Sequence, residues 1–433
     1  MIPRAPLSPG YRERCYWLEG VELPSPAQDA SLPASADVVV VGGGYTGVAA
    51  AWEAARRGRS TVVVERHQLG WGASTRNGGM VLPDVKHHGV ADLRRKFGEA
   101  GPALYDATLE AVRNLERLVE EHHLDCGYER TGHLHLAHCS SAVPELRVMQ
   151  RVFREDLGLE ATVLAREELE GEIGSPAFAG GLVVPFSGGL QPARYFAGLA
   201  RLALDAGVVA CESTEATGIR GAAGGFEVGT SRGTIRATDV LVATDGYTGA
   251  ASPRLRRRVL PVGSYIIATE PLEPAVAKEL SPRGRMMFDS RNFLSYWRLS
   301  PDGERMLFGG RASFAPTTVA RARDFLYRRM TRVHPQLAGT RIDFAWGGNV
   351  GLTVDRIPRL GRTAEGVTYA LGYSGTGVAA STFFGLAAAR WICGEARPAY
   401  AGLPFPAVPL SSVRPAWLPL VGLWFKWKDR CRA

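Results

Sequence analysis

Four consecutive valines, Val38–Val41, lead into a glycine cluster and then into the small-residue run Val48–Ala51. An unbroken β-branched run predicts a strand covered on both faces, and small residues directly after Gly47 predict a helix packed close against it. Thr61–Val64 repeats the apolar run and predicts a second strand, so residues 37–65 read as a βαβ unit. The period then changes. Residues 100–125 place apolar positions at helical spacing, and a second helix is expected around Pro144–Asp156. Between them His133–Leu136 alternates histidine with leucine, as a half-buried strand would. This block is expected in a different layer from the βαβ unit. Gly188–Ile219 predicts a helix opened by proline, a glycine stop after Ala206 and a strand that returns to the first sheet. A hairpin from Ile219 makes a small meander ending in the valine-rich strand Val240–Ala243. Residues 257–345 are strand-rich with one helix, Arg321–Met330, and the chain to 395 closes on a strand, a glycine turn and a small-residue helix.

The glycines after the first strand carry candidate chemistry, at the spacing Gly42-x-Gly44-x-x-Gly47. Gly42 permits a tight turn, Gly44 lets the backbone approach a pyrophosphate, and Gly47 clears the crossing of helix and strand. Tyr45 and Thr46 complete the turn, and the helix N-terminus offers N–H groups and a positive dipole end to phosphates. Glu65 ends the second strand at about the distance expected for an acid that binds a ribose diol, with Arg66 beside it. His67–Gly79 then reads HQLGWGASTRNGG, where a nicotinamide domain would continue with a short connection and another helix. A backbone so rich in glycine can lie flat against a large planar group.

That loop resembles the flavin loop of the D-amino-acid oxidase, glycine oxidase and sarcosine oxidase superfamily, whose pattern is close to G-x-S-x-R-N-G-G. The resemblance implies bound FAD. Ser74 and Thr75 would lie near its pyrophosphate and Asn77, Gly78, Gly79 and Met80 beside the isoalloxazine, with Gly72, Ala73 and Arg76 in the same loop. Thr244 and Gly246 of TDGYTG match a turn that meets the adenosine half, where the family has an amide in place of Asp245. Gly372, Tyr373, Ser374, Gly375, Thr376, Gly377 and Val378 match a turn close to G-Y-S-G-H-G-V. Such a turn presents N–H groups to the electron-rich edge of the flavin. Thr376 stands where the family has histidine. No cysteine lies in this turn, so noncovalent FAD is expected. With LFGGR, these motifs are most similar to the branch containing gamma-glutamylputrescine oxidase, and the resemblance runs from about residue 37 to 395.

The chain has 433 residues, 45% hydrophobic and 22% charged, enough for two cores. Its formal charge of +8 comes from arginines spread along the chain, with only five lysines, which argues against a nucleic-acid-binding arm. The six cysteines form no CxxC pair, and no apolar leader or spanning run is present, so a cytoplasmic protein is expected. His133, His135, His138 and Cys139 cluster, but no carboxylate or second cysteine completes a metal set, and no metal is expected. The end, PAWLPLVGLWFKWKDRCR (Pro415–Arg432), pairs apolar residues and tryptophans with basic ones. It is expected to form a helix capping the flavin domain; the alternative is contact with a membrane surface.

Together these readings predict an α/β protein: an FAD-binding Rossmann-like domain with a second, strand-rich substrate domain interleaved in sequence. The expected division is an N-terminal arm at 1–35, an FAD domain at 36–90, 175–255 and 345–400, a substrate domain at 91–174 and 256–344, and a tail at 401–433. Only one dinucleotide fingerprint is readable, so reduction should come from an organic substrate rather than a docked nicotinamide. The resemblance implies oxidation of a small-molecule amine or amino acid. Hydride would leave the C–H next to nitrogen for flavin N5, the imine would hydrolyse, and dioxygen would become hydrogen peroxide. The other classes are a dehydrogenase serving a quinone or electron-transfer protein, and a noncatalytic flavoprotein. Tyr265, Tyr296, Arg298 and Trp346 are the substrate-cavity candidates. Tyr296 and Arg298 share a strand face, and Trp297 points away.

Overall fold

The computed structural model describes residues 4–26, 31–83, 85, 88–310 and 317–409, with 422, 424, 425, 427 and 429 from the tail. Five parallel strands form the centre of the first sheet, in the order Val209–Cys211, Thr61–Val64, Ser35–Val41, Gly233–Val242 and Thr368–Leu371. Ala216–Ala222 and Gly225–Thr230 extend the N-terminal half of Gly233–Val242 as an antiparallel meander. The valine run explains why Ser35–Val41 is central. Val38 and Val40 enter one core with the helices Tyr45–Arg56, Pro192–Asp205 and Gly377–Ile392, whereas Val39 and Val41 enter the core on the other face. All four are 6% exposed or less, and each such burial contributes roughly 1.5–3 kcal/mol.

The second sheet has nine strands, ordered Leu7–Arg12, Ile342–Leu352, Leu260–Thr269, Met306–Gly310, Ser295–Leu299, Met286–Asp289, His133–Ala137, Gly180–Val184 and Thr162–Ala165. Helix Val319–Val333 covers one face, burying Leu326 and Met330 against Ile267, Trp297 and Phe308. A two-stranded ribbon pairs Met80–Val81 with Gly188–Gly189.

Four placements differ from expectation. His133–Ala137 is interior to its sheet, between Met286–Asp289 and Gly180–Val184, with Leu134 and Leu136 buried on one face and, on the other, His133 2% exposed against Phe153 and Phe288. Helix Ala100–Glu121 joins the core over the parallel sheet through Leu104, Val112 and Leu115, since its apolar stripe meets the closing helix. The N-terminal segment is more than an arm: Leu7–Arg12 forms an edge strand beside Ile342–Leu352, and Trp17 is buried with its Nε1–H on the Asn77 carbonyl at 2.8 Å.

The tail forms the fourth difference. Residues 401–409 are not helical and pack with Ala401, Leu403 and Phe405 into the cores of the parallel sheet, whereas 422, 424, 425, 427 and 429 are helical and rest on the strand-rich sheet. Phe425 packs against Val262, Phe293 and Leu352, and Asp429 accepts N–H bonds from Asn292 and Phe293. Lys426, Lys428 and Arg430, like Arg311 of LFGGR, lie outside the described residues. Among the described residues no helix is long and apolar enough to cross a membrane.

Candidate active site

The glycine turn has the close contacts its spacing demands. Gly42 adopts φ +107°, and a Cβ on Gly47 would sit 1.9 Å from the Gly42 oxygen, so neither position accepts a side chain without moving backbone. A Cβ on Gly44 would come 2.8 Å from Ser74 Oγ, which accepts the Tyr45 N–H at 2.9 Å. Glu65 is held ready at the end of its strand. One carboxylate oxygen accepts the Gly43 N–H and the other the His67 N–H, at 2.8 and 2.9 Å.

The loop after Glu65 is fixed by its own polar side chains. Asn77 donates to the carbonyls of Ala73 and Ser74 and accepts the Gly79 N–H at 2.7 Å. Thr75 is buried and its hydroxyl donates to the Gly70 carbonyl. Trp346 Nε1–H donates to the Arg76 carbonyl, and Cys15 Sγ lies 3.2 Å from the Thr75 carbonyl. The loop is therefore gripped from the second sheet and the N-terminal segment.

The turn after Thr368–Leu371 meets the opening helix: the Thr46 and Tyr373 hydroxyls are 2.8 Å apart, and burial pushes the Tyr373 phenol well above its ordinary range. Asp245, in the left-handed region at φ +38°, turns its carboxylate to the N–H groups of Gly372, Tyr373 and Gly351. Burial raises the Asp245 pKa, and these backbone donors oppose the rise. Thr376 turns away from the space in front: its hydroxyl donates to the Tyr373 carbonyl at 3.1 Å.

One cavity of about 730 Å³ connects these parts. Its walls include Gly42, Gly44, Tyr45, Thr46, Glu65, Arg66, Gly72, Ala73, Ser74, Arg76, Asn77, Gly78, Met80, Thr244, Tyr373, Ser374, Gly375, Gly377 and Val378. The expected cofactor residues Gly47, Thr75, Gly79, Gly246, Gly372 and Thr376 stand one layer behind. Gly79, for instance, is backed by the Leu190 carbonyl, and Gly246 wedges against the strand at Asn349–Gly351.

The far wall is a row running across the second sheet. His135 pairs with Phe288, Phe288 with Tyr296, and Tyr296 with Gly309. Paired residues share a face, so His135, Phe288 and Tyr296 all meet the cavity. The His135 and Phe288 rings are 4.7 Å apart at their centroids. Gly309 is needed because a Cβ there would come 2.4 Å from the Tyr296 ring. The Tyr296 and Ser264 hydroxyls pair at 3.0 Å.

Of the four substrate-cavity candidates, Tyr296 lines this space and three do not. Tyr265 is on the opposite face of its strand from Ser264, among the residues under helix Val319–Val333, and donates to the Thr317 carbonyl. Trp346 is buried and spent on the flavin loop. Arg298 does follow Tyr296 on the shared face, but its guanidinium is buried, donating to the Leu190, Gly79 and Leu299 carbonyls, and burial lowers its pKa to about 10. Trp297 faces away as expected, stacked on Phe308. The wall residues that sequence reasoning missed include Ser264, Phe288, Asn292 and Arg356. His135 was visible, but as one of four members of an unfinished metal cluster; no group of three potential ligands forms among the described residues.

A glycine turn on a parallel sheet, joined by one cavity to a glycine-rich loop, is the layout of a dinucleotide-binding oxidoreductase. The chain belongs to the FAD dependent oxidoreductase family, whose model matches residues 37–391. It is 32% identical to a probable oxidoreductase OrdL of Rhizobium meliloti, across 99% of this chain and 100% of the relative. It is 28% identical to the gamma-glutamylputrescine oxidoreductase of Escherichia coli, across 96% and 98%. Among solved structures, glycine oxidase from Geobacillus kaustophilus superposes with a TM-score of 0.73 over 87% of this chain and 99% of that one, at 24% identity. The residues present fit FAD: the cavity passes from a turn with no room for side chains, past Glu65, to the flavin loop and the turn at 372–378.

Proposed function

We propose that this protein oxidises a small amine or amino acid in the space between the flavin loop and the row His135–Phe288–Tyr296. The observation that carries this reading is the continuity of one cavity from the dinucleotide turn to that row. The activity named for the Escherichia coli relative supports an amine substrate. FAD, when bound, supplies the acceptor for hydride from the carbon next to nitrogen. The chain's own part is to hold the substrate there and strip its water. Phe288 and the His135 ring give an apolar platform, the Tyr296–Ser264 hydroxyl pair gives a polar contact, and Arg356 adds a guanidinium whose pKa burial lowers.

In this reading dioxygen is the electron acceptor and FAD is held without a covalent bond. The nine-stranded sheet builds the substrate side, and it takes in Gly180–Val184 and most of Ile342–Leu352 from the stretches 175–255 and 345–400 expected to serve the cofactor. The rest of 36–90, 175–255 and 345–400 serves the cofactor, joined by helix Ala100–Glu121 from 91–174. The test is anaerobic mixing of the flavin-loaded protein with polyamines and N-methyl amino acids, followed by air. The expected result is loss of flavin absorbance with one amine class and one hydrogen peroxide per amine consumed. Bleaching by none of them would overturn the assignment.

The tail favours a second reading. Trp424 and Trp427 are 49% and 61% exposed, the composition of an interfacial anchor, and a membrane quinone would then replace dioxygen. Sedimentation with anionic liposomes and faster turnover with a soluble quinone than with air would establish it.

A further inference from the structure

The cavity wall contains a loop, residues 290–294, between the strands Met286–Asp289 and Ser295–Leu299. Two carboxylates hold it, one at its start and one from the C-terminal helix. Asp289 is buried and accepts from Arg291, Arg329 and the Ser295 N–H. Asp429 of the C-terminal helix accepts the Asn292 N–H at 2.8 Å, the Asn292 Nδ2–H at 2.8 Å and the Phe293 N–H at 3.0 Å. Phe425, one helical turn earlier, packs beside Phe293. Asp429 thus takes two consecutive backbone donors and the side chain of a residue on the cavity wall, in bonds strengthened by its charge. It does not itself reach the cavity.

We propose that the C-terminal segment is a specificity element, in which Asp429 is a positioning residue that sets the shape of the substrate wall by fixing Asn292 and Phe293. The substrate half of this inference rests on amine oxidation in the cavity; the fastening of the loop does not. With Asp429 absent, Asn292 regains rotamer freedom and the loop amides turn to water, so the wall no longer presents one surface. Which amine fits is then decided partly by a residue near the end of the chain.

The experiment compares full-length, flavin-loaded wild type with Asp429→Ala and Asp429→Asn. Hydrogen exchange of peptides spanning 289–295 should quicken in the alanine variant and less in the asparagine variant, which keeps one acceptor oxygen. For each amine that bleaches the wild-type flavin, KM should rise about fivefold or more and the ranking of amines should change. Flavin content, and kcat for the best amine, should stay within about twofold, a split that general loss of structure would not produce. Unchanged KM and ranking in Asp429→Ala would overturn the specificity role. If no amine bleaches the wild type, the proposed function fails instead. Hydrogen exchange then decides the fastening alone: quicker exchange upholds it and unchanged exchange overturns it.

Discussion

Asp245 Oδ1 accepts the Gly372 N–H at 2.7 Å, joining the turn after one parallel strand to the turn after its neighbour. Its other oxygen accepts the Gly351 N–H at 3.1 Å, so the same carboxylate also holds the end of a strand from the second sheet. When ionised, this buried carboxylate puts a negative charge against the turn that the resemblance assigns to the flavin edge. Charge developing on a nearby group during reduction would be opposed by it.

Replacing Asp245 with asparagine should therefore raise the flavin midpoint potential, measured against redox dyes. It should also change the acid dependence of stability. Because burial raises the folded-state pKa above 3.8, the wild-type carboxyl contributes stability below 3.8 that is lost as pH rises through the raised value. The stability of wild type minus that of Asp245→Asn should consequently grow as pH falls through that window. A constant difference in urea midpoints would sink the idea.

Buried histidines tilt the molecule the other way. Burial lowers His133 to about 3, helped by the charges of His135 and Arg285, and lowers His334 to about 4 against the opposing hydrogen bond to the Gly174 carbonyl and the charge of Glu279. Stability from each is complete above the ordinary 6.5 and is lost as pH falls toward the folded value. Unfolding free energy should decline between those limits by about 1.4 kcal/mol per pH unit for each histidine. Urea titrations with FAD in excess test this, and a shallower slope in His133→Gln, which keeps the share of His334, would isolate the share of His133.

Gly47→Ala should yield protein with little or no FAD, since its Cβ must displace the Gly42 carbonyl. Gly218→Ala is the control, with no heavy atom within 4 Å of the added carbon. The ratio of flavin to protein absorbance after purification gives the answer. Equal ratios would remove the steric role assigned to Gly47.

Tyr296→Phe keeps the ring and removes the hydroxyl paired with Ser264, so kcat/KM for the oxidised amine should fall about tenfold, the cost of one hydrogen bond. Gly309→Ala should cost more, because its Cβ would enter the space of the Tyr296 ring. FAD content should be unchanged in both. A Gly309→Ala enzyme as active as wild type would mean that the ring position does not matter.

Acid precipitation should release the yellow colour into the supernatant, and neither NADH nor NADPH should bleach the flavin rapidly under nitrogen. Colour kept in the pellet would point to a covalent link. Fast bleaching would point to a nicotinamide site.

The parallel sheet was legible because its evidence is local: four valines need two covered faces, and Gly47 answers a contact with the Gly42 oxygen five residues back. The wall opposite was not. His135, Phe288 and Tyr296 are 153 and 8 residues apart and meet only through strand register, which depends on which strands become neighbours. Arg298 shows the same limit from the other side. Strand periodicity put it on the face of Tyr296, yet the approach of the Gly79 and Leu190 carbonyls decided where its guanidinium went. For the tail, composition showed an apolar and basic helix, but the docking surface was set by Asp429, whose partners lie more than 130 residues away.

The Thr46–Tyr373 hydroxyl pair joins cavity walls made near the two ends of the chain. During synthesis the first wall emerges early and waits through most of translation for the second. FAD can stabilise only the completed pocket, since a ligand favours the state that binds it. A chain ending before Tyr373 would keep the dinucleotide turn but lack the Thr46–Tyr373 contact, so FAD should fail to stabilise it. Flavin supply would then govern the survival of finished molecules without rescuing fragments.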